Sequence, residues 1–379
     1  MQPLGTAIVG LGKVAKTHAD ALARLPASRF VAASDPDSER RETFARAYGV
    51  KVYERLDDLL RDPAVEVVDI CAPHPLHAEL TIRAAEAGRH VLVEKPMAVR
   101  LSDCDAMIRA AAASQVKLGV ISQRRFYDPV QRMQRAIAEG RIGQPSLGVL
   151  TVLGWRSQEY YQLDPWRGTW SGEGGGVLVS QATHHLDLFQ WFMGPVDELH
   201  GYWANANHPG IEVEDTAVAV LRFKNGALGV IAASNAQNPG LFGRIHVHGS
   251  SGASVGVQTE TGSSFIAGVT AEVAPPINDI WTIPGEEDRL PVWQREDTER
   301  ASLVSVLDHY HGLQIAEFLD AVVDNREPAV SGEEGRKSVE LFTAIYRSQR
   351  HHGPITFPLP TSPDEVFSSK QLGARRGGR

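Results

Sequence analysis

The chain has 379 residues, 42% of them apolar, which is more than one hydrophobic core usually organises and implies two domains. Its 38 basic and 46 acidic side chains give a formal charge of −8 with neither sign dominating a long stretch, which argues against nucleic-acid or polyanion binding and leaves small molecules as the expected partners. Cys71 and Cys104 lack metal-ligand spacing, no apolar run approaches the ~20 residues of a membrane-spanning helix, and no export signal precedes the first strand, so a cytoplasmic location is expected.

Residues 5–9 form an apolar strand, followed by the turn Gly10-Leu11-Gly12-Lys13-Val14-Ala15 and a helix from Val14 to Leu25. Phe30 to Ser34 reads as a second buried strand ending at Asp35, 20 residues beyond Ala15 (35 − 15). Strand, glycine turn, helix and acid at this spacing match the dinucleotide fingerprint. Gly10 makes the tight turn, Gly12 lets the backbone approach a pyrophosphate, Ala15 permits close helix–strand packing, and the helix start at Lys13 and Val14 faces the phosphates. A carboxylate at Asp35 accepts both adenosine ribose hydroxyls and repels a 2′-phosphate, so NAD is preferred over NADP. The alternatives are that Asp35 merely opens the turn Asp35-Pro36-Asp37, or that Arg40 or Arg41 reaches a phosphate.

The alternation continues with a helix over 39–48, a strand over 51–53, a helix over 56–60 and a buried strand over 65–72. Next come Pro73-His74-Pro75, a helix over 76–87 stopped by Gly88, the strand 90–93, Glu94-Lys95-Pro96, a helix over 102–113 and a strand over 117–120. This is an α/β, Rossmann-like, doubly wound parallel sheet. Ligands of such sheets bind beyond the carboxyl ends of the strands. Ala72, Pro73, His74, His77, Glu94, Lys95 and Gln123 therefore join the glycine turn and Asp35 as expected cofactor contacts. Lys95, fixed between Glu94 and a proline, reads as a positioned cation; the bland alternative is a surface lysine.

The first domain is expected over 1–123, a second over 124–360, and a loose tail over 361–379. Strand-like stretches at 146–153, 216–223, 227–233, 245–248 and 253–258, with turn pairs such as Asn225-Gly226, describe an α+β domain with a large, mostly antiparallel open sheet. An open sheet of this kind is expected to pair, giving a homodimer or homotetramer. Residues 274–298 read as an irregular excursion, and helices near 309–324 and 333–350 return to pack on the domains.

Gly172-Glu173-Gly174-Gly175-Gly176 is expected to open a helix bearing Ser180, His184, His185 and Asp187, with the first, second and last of these on one stripe. His184 would then exchange a proton with a substrate hydroxyl while Asp187 binds its neighbour. Alternatively, both histidines are half-buried helix residues. No third ligand at metal spacing accompanies them, so no metal is expected. The segment holding Trp155, Tyr160, Tyr161, Trp166 and Trp170 with Arg156, Asp164 and Arg167 suits stacking on a sugar ring, or anchors its loop.

Glu94-Lys95-Pro96 with the glycine turn resembles the family of glucose-fructose oxidoreductase, inositol dehydrogenase and their relatives. The resemblance extends to Gln123-Arg124-Arg125-Phe126, Trp166-Arg167-Gly168-Thr169-Trp170 and Gly174-Gly175-Gly176 followed by His184 and Asp187. It implies that Lys95 lies at the junction of nicotinamide and substrate, before a proline often held cis, and that a histidine at the place of His184 lies near the reacting carbon. Many relatives pair that histidine with an aspartate four positions earlier, where this chain has Ser180, so Lys95 and His184 share candidacy for the proton. Arg124, Tyr161, Trp166, Arg167, Ser180 and Asp187 complete the expected substrate contacts. The implied activity is NAD-dependent hydride transfer at a secondary or anomeric hydroxyl of a sugar, glycoside, sugar nucleotide or cyclitol. The alternatives are an NAD-dependent glycosidase working by transient oxidation and a cofactor-sensing regulator.

Overall fold

The computed structural model describes residues 2–261 and 275–361, and these form two compact units. One takes the chain up to Arg132 together with Pro291–Val339; the other takes Met133–Leu290 together with the chain from Glu340 onward. The expected tail, from Ser362 on, lies outside the described residues.

In the first unit the apolar runs become β1 (Leu4–Val9), β2 (Ser28–Ser34), β3 (Lys51–Tyr53), β4 (Val67–Ile70), β5 (His90–Val93) and β6 (Leu118–Val120). They form a parallel sheet in the order β3-β2-β1-β4-β5-β6. The order reverses between β1 and β4, and such a switch point opens a crevice at the carboxyl ends of the strands. Ala7, Ile8, Val68, Ile70, Val91 and Val93 are wholly buried, as strands covered on both faces must be. Helix Ser38–Tyr48 is started by Asp37, whose carboxylate accepts from the Glu39 and Arg40 amides, and stopped by Gly49 in the left-handed conformation.

The sequence ends this domain at residue 123, but the compact unit recovers Pro291–Val339 from far along the chain. Helix Val306–Val323 explains why: Gln314 accepts from Ser122 N at 2.8 Å and donates to Val120 O at 2.8 Å, splinting the end of β6. A Cβ at Gly119 would stand 2.6 Å from the Phe318 ring, so the helix rests directly on that strand.

The second unit carries β7 (Pro145–Leu153), β8 (Val196–Ala204), β9 (Thr216–Phe223), β10 (Leu228–Ser234), β11 (Phe242–Gly249), β12 (Ser254–Thr261) and β13 (Ile355–Thr356). Their order is β12-β11-β7-β10-β9-β8-β13, antiparallel except for the β7–β10 pair. Helix Thr183–Met193 covers one face, where Gly148 and Gly229 leave room for Phe189; a Cβ at Gly148 would meet that ring at 2.7 Å. The other face exposes Leu147, Tyr202, Val218, Val220, Leu228 and Val230.

Three sequence expectations change. β8 and β13 are additional strands; β8 escapes the alternation rule because Asp197, Glu198 and Gly201 interrupt its apolar pattern. Of the expected excursion, Pro275–Asp288 is irregular, bridged to β12 at Trp281 and Ile277, whereas Arg289–Leu303 is a helix. That helix is polar on nearly every side and has no apolar stripe to announce it; it is moored by Asp297, 3.0 Å from Arg132 Nη1, and by Trp293 beneath the same guanidinium. Finally, the helix after the glycine loop is broken: Val177–Ser180 and Thr183–Met193 are separate, with Ala182 N reaching back to Val177 O at 2.8 Å. Ser180 and His184 thus do not lie on one continuous helix.

Candidate active site

The first unit gathers its polar residues at the carboxyl ends of β1, β2, β4, β5 and β6. Gly10 sits at φ +88°, and a Cβ there would lie 2.6 Å from Ala72 N, so the ends of β1 and β4 approach as only glycine allows. A Cβ on Gly12 would meet nothing among the described residues within 4 Å, leaving open ground before the start of helix Ala15–Leu22. Lys13 is exposed there, Val14 half-buried, and Ala15 wholly buried against the sheet. Pro73 is exposed and His74 half-buried beside Ala72.

Asp35 is 5% exposed, and both its oxygens already serve the main chain: Oδ2 accepts from Leu11 N at 2.7 Å and Oδ1 from Asp37 N at 2.8 Å. A carboxylate has about four acceptor directions, so two remain for ribose hydroxyls. Asp35 therefore ties the glycine turn to β2 as well as opening its own turn. Arg41 is committed to the Asp35 and Pro36 carbonyls at 2.7 and 2.9 Å, while the exposed Arg40 lies 3.8 Å from Asp35 Oδ2. Gln123, buried beyond β6, has an Oε1 with no hydrogen-bond partner among the described residues. An open floor before Gly12, spare acceptor capacity on Asp35 and an unsatisfied amide oxygen on Gln123 fit a dinucleotide spanning this edge.

Lys95 is half-buried after β5 and precedes a cis peptide to Pro96. Two neighbours expected to touch cofactor face inward instead. Glu94 is buried; its Oε2 accepts from Lys95 N at 2.9 Å and its Oε1 lies 3.0 Å from His18 Nε2. His77 is wholly buried, with Nδ1 2.8 Å from Pro96 O and Nε2 2.8 Å from Ala72 O, and burial lowers its pKa. Both residues brace the loops that present Ala72 and Lys95, because their polar atoms are used inside the protein. His18, Asp69 and His311, which complete the Glu94 cluster, were not anticipated. The available signals were a histidine on the apolar stripe of the first helix, between Ala15 and Leu22, and an aspartate within the apolar run Val67–Ile70.

In the second unit His184 and Asp187 are both buried on helix Thr183–Met193. His185 is turned the other way, its Nε2 2.7 Å from Thr259 Oγ1 beneath β11, where only a glycine at 243 leaves it space. Ser180 Oγ lies 2.8 Å from Gly176 O and 2.6 Å from Gln181 Oε1, so this hydroxyl closes the first helical turn. Gln181, at the break, receives a hydrogen bond from Asn235 Nδ2 at 2.7 Å and donates to Tyr160 Oη at 3.2 Å; Asn235 also donates to Tyr161 Oη at 3.3 Å. Asn235, at the end of β10, is a further site candidate that no sequence motif flags: it is 1% exposed and its Oδ1 has no partner among the described residues.

The aromatic segment divides in two. Trp170 belongs to the core, edge-on to Trp203 and Tyr346 with its indole donating to Glu212 O at 3.1 Å. Tyr160 and Trp166 instead lie against Arg167, whose guanidinium carbon is 4.7 and 4.5 Å from their centroids, and Arg167 also binds Asp164 Oδ2 at 2.9 Å. Arg124, half-buried, follows Gln123 in a short helical turn of the first unit.

Residues 4–122 match the model of the oxidoreductase family with an NAD-binding Rossmann fold, and residues 130–255 match the GFO/IDH/MocA C-terminal domain. The WlbA dehydrogenase of Bordetella pertussis, solved with NADH and UDP-GlcNAcA, is similar at 31% identity and a TM-score of 0.83, over 95% of this chain and 99% of its own. The corresponding enzyme of Chromobacterium violaceum, solved with the same pair, shares 30% identity with a TM-score of 0.80, over 95% and 97%. Myo-inositol 2-dehydrogenase of Thermotoga maritima is 29% identical over 90% of this chain and 95% of its own. With the glycine turn, the parallel sheet and the second-unit sheet all in place, the chain belongs to the Gfo/Idh/MocA family of NAD-binding oxidoreductases.

Proposed function

We propose that the protein oxidises a secondary or anomeric hydroxyl of a sugar, sugar nucleotide or cyclitol, or reduces the corresponding carbonyl, with NAD as its partner. The observation that carries this is the gathering of Gly10, Gly12, Asp35, Ala72, Lys95 and Gln123 at one edge of the parallel sheet. NAD, when bound, supplies the hydride acceptor. Gly12 leaves the diphosphate its room, Asp35 accepts the adenosine ribose hydroxyls, and the Gln123 amide oxygen takes a donor from the cofactor. The Asp35 carboxylate favours NAD over NADP, since a 2′-phosphate would meet like charge.

Lys95 holds the reacting oxygen and either Lys95 or His184 takes its proton, while Arg124, Tyr161, Trp166, Arg167, Asp187 and Asn235 bind the other hydroxyls. Ser180 supports this set through Gln181. The relatives named for a chemistry are dehydrogenases, a reductase and an oxidoreductase, which favours turnover over a glycosidase or a sensor. The exposed apolar stripe over β7, β8, β9 and β10 supports a homodimer or homotetramer closed through that face, since an apolar patch of this extent on a soluble chain marks an interface. The test of the activity is a screen of sugars, sugar acids, sugar nucleotides and cyclitols for NADH formation. Steady NADH production with one class is expected, and none with any class defeats the proposal.

A further inference from the structure

Beneath the loop carrying Lys95 the first unit buries a chain of ionisable groups that hydride transfer does not itself require. His18, on helix Ala15–Leu22, is wholly buried. Its Nδ1 lies 2.7 Å from Asp69 Oδ2 on β4, and its Nε2 lies 3.0 Å from Glu94 Oε1 beyond β5. Glu94 Oε2 in turn accepts from Lys95 N at 2.9 Å. His311, on helix Val306–Val323, stands 3.5 Å from Glu94 Oε1 and donates from Nδ1 to Leu307 O at 2.7 Å.

We propose that His18 is a positioning residue for Lys95: by bridging Asp69 to Glu94 it fixes the carboxylate that grips the Lys95 peptide. This rests on the assignment of Lys95 to the reacting centre. Both ring nitrogens of His18 face carboxylate oxygens, which can only accept, so the ring donates twice and is an imidazolium. A carboxylate buried without such a donor would be protonated or would turn away. The electrostatics agree. Burial works against a charge on His18, yet Asp69 beside it raises its pKa well above the ordinary value. Burial likewise opposes the Glu94 charge, and the hydrogen bonds from His18 and His311 hold its pKa well below the ordinary range.

The groups facing His18 from the packed elements are Asp69 and Cys71 at β4, Glu94 beyond β5 and His311, whose ring centroid is 5.3 Å away. On its own helix Lys16 and Asp20 pair with each other. The same atoms also group as potential metal ligands, His18 with Glu94 and His311, or His18 with Asp69 and Cys71. The nitrogen–oxygen distances of His18, 2.7 and 3.0 Å, are those of N–H···O hydrogen bonds.

The test compares wild type, His18→Gln, Lys95→Ala and the double variant, full-length with NAD and the substrate found by the screen. His18→Gln is expected to lower kcat by about tenfold or more, to displace the pH profile of kcat, and to leave NAD affinity within about twofold. In the Lys95→Ala background, where turnover is already lost, it should change NAD affinity by less than about twofold. Nitrogen-15 NMR of the wild-type histidines should show one ring protonated on both nitrogens well above the pH at which an ordinary imidazole is neutral. That signal should be lost in His18→Gln and should titrate at lower pH in Asp69→Asn, which serves if His18→Gln does not fold.

A folded His18→Gln with unchanged kcat and pH profile, beside an inactive Lys95→Ala, overturns the positioning role alone. A neutral His18 ring, or a stoichiometric transition metal that departs with His18, overturns the bridge. Full turnover by Lys95→Ala refutes instead the assignment of Lys95.

Discussion

Glu214 offers a prediction whose size follows from its surroundings. It is wholly buried between β8 and β9, its carboxylate accepts from Gly176 N at 2.9 Å, Leu178 N at 3.0 Å and Tyr346 Oη at 2.9 Å, and its carbonyl accepts from Val177 N at 3.1 Å. A Cβ at Gly176 would lie 1.7 Å from the Glu214 carbonyl oxygen, so the glycine loop is pressed against this residue. Burial nevertheless outweighs the donors and pushes the carboxyl up to about 7 from an ordinary 4.5. Because the folded value is raised, the folded state holds the proton more tightly than the unfolded one. The stability so gained is complete below pH 4.5 and is lost as the pH rises through about 7. At ~1.36 kcal/mol per pH unit, that interval amounts to on the order of 3 kcal/mol.

Glu214→Gln keeps the shape and removes the titration. Thermal unfolding of wild type and variant, run from about pH 5 to about pH 8, should show the wild-type Tm falling by several degrees relative to the variant across that window. Parallel Tm curves would refute the reasoning, as would a wild type that gains relative stability with rising pH.

Other predictions separate binding from stability. Gly12→Ala should leave stability within about 0.5 kcal/mol, since a Cβ there meets nothing, yet weaken NAD binding by about tenfold or more, checked by titration calorimetry and melting of the same sample. Gly10→Ala should instead destabilise the first unit by about 2 kcal/mol or more, because it combines φ +88° with a 2.6 Å clash at Ala72 N; a normal melting curve counts against it. Asp35→Ser should narrow the kcat/KM preference for NAD over NADP, and an unchanged ratio would speak against charge selection. Val220→Lys on the exposed face of β9 should shift sedimentation toward monomer without lowering the Tm of the isolated chain, and an unaltered assembly would place the interface elsewhere.

The cofactor half of the protein was open to sequence reasoning because its signals are local. β1, the glycine turn and Asp35 follow one another within a single βαβ unit, so strand period, φ requirement and spacing all appear in the chain order. The features missed are those settled by distant partners. Nothing adjacent to His18 says that Asp69 and Glu94 will meet its ring, although a histidine on an apolar stripe and an aspartate inside an apolar strand hint that each needs a partner. Helix Arg289–Leu303 is moored through Asp297 and Trp293 rather than by a hydrophobic face, and so shows no period. The helix break at Gln181 is a tertiary choice: Gln181 spends its amide on Asn235, some fifty residues away, and on Tyr160. Spacing counted along an unbroken helix therefore does not carry across the break from Ser180 to His184.

The proposed chemistry turns on Lys95. The most direct test runs wild type and Lys95→Ala in parallel through the substrate screen, recording NADH formation and NAD affinity for each. The account predicts NADH from wild type with at least one polyhydroxylated class, none above background from Lys95→Ala, and NAD affinity within about threefold of wild type. Comparable NADH formation by Lys95→Ala on that same substrate would contradict it.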